Sequence, residues 1–183
     1  LMEINKNLDL EKSIQLINNG SFSEAINLLE NLVKQNVSDF RIFYLLGSSY
    51  LKLKKLDLAE INLKKATELN NSLTSAYHNL GITLSLKENF QESNKLFLRV
   101  LELDPNNIET IIELGRNYEL SKNYDNAKKY YLKALELDFK NKAANNLLGQ
   151  MLINNGFHKD GIKYIQKSAG IIRFEEKNYK ILE

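Results

Sequence analysis

Cysteine is missing from all 183 residues, so this chain can build neither a disulfide framework nor thiolate chemistry. Histidine occurs only as His78 and His158, with no His-x-x-Glu-His or similar spacing around either, which leaves a metal site nothing to stand on. No apolar run approaches the roughly 20 residues of a membrane span, and the N-terminus lacks the basic and apolar regions of a signal peptide. Neither sign of charge dominates. The 25 Lys and Arg stand against 23 Asp and Glu, a formal +2, whereas a nucleic-acid binder would concentrate positive charge on one face. The pairs Lys54-Lys55, Lys64-Lys65 and Lys128-Lys129 lie among Asp and Glu and read as solvated helix faces. No Gly-rich loop follows a strand, and no pair of carboxylates is marked by spacing as an acid and a base. The chain is therefore expected to be non-enzymatic, with no catalytic, cofactor-binding or metal residues, and the cytoplasm is its expected setting.

What the chain does contain is a period. Gly47, Gly81, Gly115 and Gly149 stand 34 residues apart, each directly after a leucine: Leu46, Leu80, Leu114 and Leu148. With 8 glycines in 183 residues, chance would repeat the first of them three times in register about once in ten thousand trials, so the spacing is architecture. Other columns follow. Phe43, Tyr77, Ile111 and Asn145 precede the leucines by three places, and Tyr50, Leu84, Tyr118 and Leu152 follow the glycines by three. Further on come the small Ala59, Ser93, Ala127 and Gly161, then the large Leu63, Phe97, Tyr131 and Ile165, then Ala66, Val100, Ala134 and Ser168. Small residues facing large ones at fixed intervals specify close packing of two segments. Apolar residues recur at helical spacing in both segments of each period, for example Phe43 to Leu53 and Leu56 to Leu69, where Leu56, Ala59, Ile61, Leu63 and Ala66 are expected mostly on one side. Each period is thus a helical hairpin too small to be stable alone, which must stack on its neighbours.

Helix-end signals agree. Ser21 with Glu24 and Asn89 with Glu92 have capping-box spacing ahead of second helices, and Asn123 holds the equivalent place. Asp104-Pro105-Asn106-Asn107 and Leu69-Asn70-Asn71-Ser72 close one period and open the next. The sequons Asn19-Gly20-Ser21 and Asn36-Val37-Ser38 read as helix-end residues in an Asn-rich chain.

This pattern resembles the tetratricopeptide repeat, W-x2-L-G-x2-Y followed by a small Ala, an aromatic, a second Ala and a Pro. Residues 40–73, 74–107, 108–141 and 142–175 carry it in whole or part, 108–141 most fully, and 6–39 form a weaker copy with Ser13 at the glycine place and Lys12 at the leucine place. Tryptophan is absent, and only Pro105 fills the proline column, where Val37, Asn71, Phe139 and Arg173 stand elsewhere. The resemblance implies an all-α fold: a right-handed superhelical solenoid of antiparallel helix hairpins, one array over residues 1–175. Residues 176–183 would then be a capping helix, a truncated sixth repeat or the start of a further domain.

The resemblance also implies where a partner binds. First helices of such repeats line a concave groove, reached from the second, fifth, sixth, ninth and twelfth places of each copy. Those places hold Arg41, Tyr44 and Ser48; Ser75, His78, Asn79 and Ile82; Glu109, Ile112, Glu113, Arg116 and Glu119; and Asn146, Leu147 and Gln150. Tyr44, Leu45, Ile82, Ile112 and Leu147 are candidate apolar anchors. Family members that grip a C-terminal carboxylate need positive charges where Glu109 and Glu113 stand here; only Asn79 fits their pattern, so an acidic chaperone tail is not the expected ligand. Nor do Leu45, Glu113 and Leu147 continue Asn79 into an asparagine ladder. The grouped glutamates favour a protein or peptide partner offering Lys or Arg, with Arg116 partly neutralising them.

After Ala169-Gly170 the period breaks into Ile171-Ile172-Arg173-Phe174, Glu175-Glu176-Lys177-Asn178 and Tyr179-Lys180-Ile181-Leu182. Tyr179 and Leu182 fit the helical register, while the apolar and polar alternation fits a short hairpin. Leu1 ahead of Met2 reads as a cloning remnant of a sequence cut from something larger. The leading expectation is a scaffold or adaptor that binds a protein segment in its groove. The alternatives are the N-terminal recognition arm of a larger enzyme, such as a transferase or oxygenase, continuing beyond Glu183, and a self-association module that forms homo-oligomers. The packing columns carry their own test. Gly115→Leu is expected to cost about 1–3 kcal/mol of stability or more by overpacking; thermal melting that matches the parent would show the register to be wrong.

Overall fold

The structure is a computed structural model that describes residues 2–35, 38–170, 174–175 and 178–179. The expectations that involve Leu1, Asn36, Val37, Ile171, Ile172, Arg173, Glu176, Lys177 and residues 180–183 lie outside the described residues. Among the described residues ten α-helices follow one another in hairpin pairs, and the chain divides into two compact units after Pro105. The first unit holds α1 (Met2–Asn18), α2 (Phe22–Lys34), α3 (Phe40–Lys52), α4 (Leu56–Leu69), α5 (Thr74–Leu86) and α6 (Phe90–Leu103). The second holds α7 (Ile108–Leu120), α8 (Tyr124–Leu137), α9 (Lys142–Asn154) and α10 (His158–Ala169), followed by a two-residue antiparallel pairing of β1 (Phe174–Glu175) with β2 (Asn178–Tyr179). Phe174 pairs with Tyr179 and Glu175 with Asn178, so Tyr179 is extended and not helical.

The glycine column sets how close the helices of a hairpin come. A Cβ on Gly47 would lie 2.5 Å from Leu63 Cγ, one on Gly81 2.5 Å from Phe97 Cε1, and one on Gly115 2.6 Å from Tyr131 Cε1. In the last hairpin two glycines face each other, and a Cβ on Gly161 would stand 2.6 Å from the Gly149 carbonyl oxygen. Ala25, Ala59, Ser93 and Ala127 are fully buried at the place of Gly161. Ser93 adds a hydroxyl there without penalty because Oγ donates to the Gly81 carbonyl at 2.7 Å. Ser13, which replaces glycine in the first hairpin, is also fully buried and donates to the Asp9 carbonyl. Asn145 occupies a column of large apolar residues; its Nδ2 bonds the carbonyls of Phe139 and Asn141 and so ties down the loop from α8 to α9.

Two local expectations need correction. Ser21 makes no side-chain cap on α2, whereas Asn89 and Asn123 accept from the backbone N–H of Glu92 and Asn126 at 3.4 and 3.3 Å. All three caps share a similar backbone, and the asparagine bonds are already long, so the shorter serine side chain falls short. Ile61 is 64% exposed. It lies off the stripe that Leu56, Ala59, Leu63 and Ala66 form at intervals of three and four.

Every hairpin turns through a left-handed residue at the same place: Gly20, Lys54, Glu88, Lys122 and Gly156, with φ between 58° and 87°. The next residue then bonds back five places, as Asn123 N–H does to the Tyr118 carbonyl at 2.8 Å, closing a Schellman turn. Three of the five are not glycine, and each bears the left-handed cost of roughly 1–2 kcal/mol. Lys122→Gly removes that strain, less the added freedom of the unfolded chain, and is expected to stabilise by about 0.5–1 kcal/mol in chemical denaturation. No gain in the denaturation midpoint would mean that Lys122 is not strained.

Candidate binding face

Within the first unit α1 touches α3 and α3 touches α5, and within the second α7 touches α9, whereas among the described residues no two even-numbered helices of one unit touch. The odd helices therefore line the inner face of each unit and the even helices its outer face. Asn79 Nδ2 on α5 donates to Ser48 Oγ on α3 at 2.9 Å and marks which side of these helices looks inward. Arg41, Tyr44 and Ser48 follow at helical intervals, as do Ser75, His78, Asn79 and Ile82, so each set shares that side.

The chemistry of the first unit's inner face is more neutral than its sequence. Arg41 Nη2 lies 2.6 Å and Nε 2.9 Å from Asp39 Oδ2, and the Arg41 hydrogen bond holds the Asp39 carboxyl below its usual range. Its positive charge is already matched. Tyr44 and Leu45 pack half-buried on the core of Leu46, Tyr50 and Leu80. The His78 ring stacks at a tilt on Phe97, 5.7 Å away between centroids, and Ser75 and Ile82 are half-buried.

In the second unit the expected groove places of α7 are acidic. Glu109 is exposed at the start of α7 with no ion-pair partner among the described residues, and Glu113 Oε1 lies 3.2 Å from Arg116 Nη1. Leu147 and Asn146 are half-buried and Gln150 exposed, with Gln150 Nε2 3.4 Å from Asn146 Oδ1. Two expected residues differ. Ile112 is only 7% exposed and is part of the packed interior. Glu119 accepts a 2.7 Å hydrogen bond from the hydroxyl of fully buried Tyr131 and braces α7 on α8.

Family models of the tetratricopeptide repeat match residues 10–72, 73–103 and 108–141. The chain belongs to the tetratricopeptide repeat family. It is 33% identical over 104 residues to human RNA polymerase II-associated protein 3, covering 57% of this chain and 16% of that protein. It is 38% identical over 90 residues to heat shock protein STI1 of Saccharomyces cerevisiae (49% of this chain, 15% of that protein). With BBSome complex member BBS4 of Bos taurus it shares 32% over 97 residues (52% and 18%). The chain spans less than a fifth of the length of each of these relatives. Its fold is that of MamA from Desulfovibrio magneticus, with a TM-score of 0.82 at 19% identity over 90% of this chain and 93% of that one. A second MamA crystal structure gives 0.78 at 21% identity over 86% and 92%. Among the described residues no helix is long and apolar enough to cross a membrane, and no three His, Cys, Asp or Glu are grouped to hold a metal ion.

Of the residues around a cavity of about 300 Å³ on the second unit's outer side, between α8 and α10, the repeat register named only Leu152, and as a packing residue. Lysines on both helices, beginning with the pair Lys128-Lys129, were the available signal.

A second tyrosine to glutamate bond, Tyr50 Oη to Glu30, joins α3 to α2. Burial, then the neighbouring Glu30, pushes the Tyr50 hydroxyl up to about 12, and burial and Glu119 raise that of Tyr131 as well. The unfolded chain loses the Tyr50 proton near 10, so the native state keeps its full stability below that pH and loses it as pH rises from 10 to about 12. At pH 11 the loss is about 1 kcal/mol. Thermal melts at pH 9 and about 11 should therefore show a smaller alkaline drop in Tyr50→Phe than in the parent; equal drops would remove this linkage.

Proposed function

We propose that this chain is a non-catalytic binding module whose inner faces take extended protein segments, and that the second unit selects segments carrying Lys or Arg beside apolar residues. The observation that carries the reading is the inner edge of α7. There Glu109 is exposed and unpaired among the described residues, Glu113 is bound by Arg116 alone, and the α9 side offers the neutral Asn146 and Gln150. The three glutamates of α7 face one arginine; Glu119 is committed to Tyr131 and Glu113 is paired with Arg116, which leaves the exposed Glu109, with one net negative charge on the pair of glutamates, to recognise a cation. Half-buried Tyr44, Ile82 and Leu147 supply apolar contact for the same kind of ligand. The names of the relatives, a polymerase-associated protein, a heat shock protein and a member of a complex, accord with association as the task.

The test is a peptide library displayed on a surface and probed with the purified protein. Binders should be enriched in Lys and Arg, and Glu109→Lys with Glu113→Lys should weaken the best of them about tenfold with little change in melting temperature. Added salt at about 0.5 M should weaken the parent in the same direction. Binders without basic enrichment, or equal binding by the double variant, would overturn the assignment.

A further inference from the structure

The outer side of the second unit has the opposite polarity from its inner side. Helix α8 carries Lys128, Lys129 and Lys133 against Asp125 and Glu136, and α10 carries Lys159, Lys163 and Lys167 against Asp160. Six lysines thus oppose three carboxylates. Several of them converge on the cavity of about 300 Å³ that Lys128, Leu152, Phe157, Tyr164 and Lys167 help to line. Its walls are mixed. Leu152 is buried, Phe157 is 61% exposed at the rim, and Lys167 Nζ sits 5.2 Å above the Tyr164 ring. Phe157, Leu152 and the Tyr164 ring give the concavity an apolar lining ringed by lysines, the arrangement of an apolar anchor site with a charged rim.

From this geometry we propose that the cleft between α8 and α10 is a second docking site, for an acidic protein segment that inserts one aromatic or bulky aliphatic side chain between Phe157 and Tyr164. Charge complementarity selects the occupant: carboxylates flanking the inserted residue would meet Lys128 and Lys167. The site already stabilises one carboxylate. Asp160 Oδ1 lies 2.9 Å from Lys163 Nζ and is held below the usual carboxylate range by that bond first, with Lys159 and Lys128 adding to it. The volume lies at the lower limit for small-molecule sites and suits a single inserted side chain with its flanks outside. A flat anionic surface would touch the rim but leave the cavity and Leu152 unused.

The experiment uses the whole chain and three labelled heptapeptides read by fluorescence anisotropy: Asp-Glu-Asp-Phe-Asp-Glu-Asp, the same peptide with Phe replaced by Ser, and the Phe peptide with every acid replaced by Lys. The first should bind below about 1 mM. The Ser and Lys versions should each bind at least about tenfold more weakly. Lys128→Ala with Lys167→Ala should weaken the first peptide by about tenfold, and Phe157→Ala should do so without touching charge. Melting curves confirm that each variant is folded; were the double lysine variant unfolded, Phe157→Ala alone decides. The proposal is overturned by no binding of the first peptide, by equal binding by the cleft variants, or by preference for anionic phosphatidylserine vesicles or single-stranded DNA over the peptide. A parent that is dimeric at micromolar concentration and becomes monomeric in Lys128→Ala/Lys167→Ala would assign the cleft to a second copy instead, and would also overturn it.

Discussion

Each of the last four hairpins depends on one contact: a bare glycine backbone on the first helix pressed against a large side chain on the second. Leu63, Phe97, Tyr131 and Ile165 occupy the space that a Cβ at Gly47, Gly81, Gly115 or Gly149 would need. The other columns follow from that spacing. Helices so close leave no room for more than a methyl or hydroxymethyl group one turn before the large residue, hence Ala59, Ser93, Ala127 and Gly161. Where a hydroxyl intrudes it must find a bond, and Ser93 finds the carbonyl of the very glycine it faces.

That rigid framework frees the remaining side chains for surface chemistry, and the second unit divides them by charge. Its first helix carries Glu109 and Glu113, which the proposed function turns inward, while its even helices carry six lysines. In the proposed function the two sides differ in what they attract. One small scaffold could then hold a basic segment and an acidic one at once, which is what an adaptor requires.

The framework was legible because it is periodic. A column that repeats four or five times is visible without any alignment, and Gly115 facing Tyr131 could be inferred from spacing alone. Features that depend on one atom of reach or one side-chain direction were not legible. Ser21 has the spacing of a cap but not the length, and Ile61 is apolar yet points to water. Glu119 has the place of a groove residue because the register says nothing of the hydroxyl of Tyr131. Ile112 has the right place but is buried. The left-handed turn is hidden because only Gly20 and Gly156 announce it, while Lys54, Glu88 and Lys122 adopt the same backbone under residue types that do not. The cavity beside Lys128 has only the lysines as its sign in the sequence, and lysine pairs are so often mere solvation that they do not single it out.

Those turns bear on how the protein meets proteolytic enzymes. Lys54 and Lys122 are exposed at hairpin tips and would ordinarily be the first bonds a trypsin-like protease cuts. Proteases read their substrates as extended strands, however, and a left-handed residue locked between two helices cannot be drawn out without unwinding the turns on both sides. Cleavage at these lysines would then measure the opening of a whole hairpin, so that tips which look most vulnerable become reporters of how firmly each helix pair stays closed.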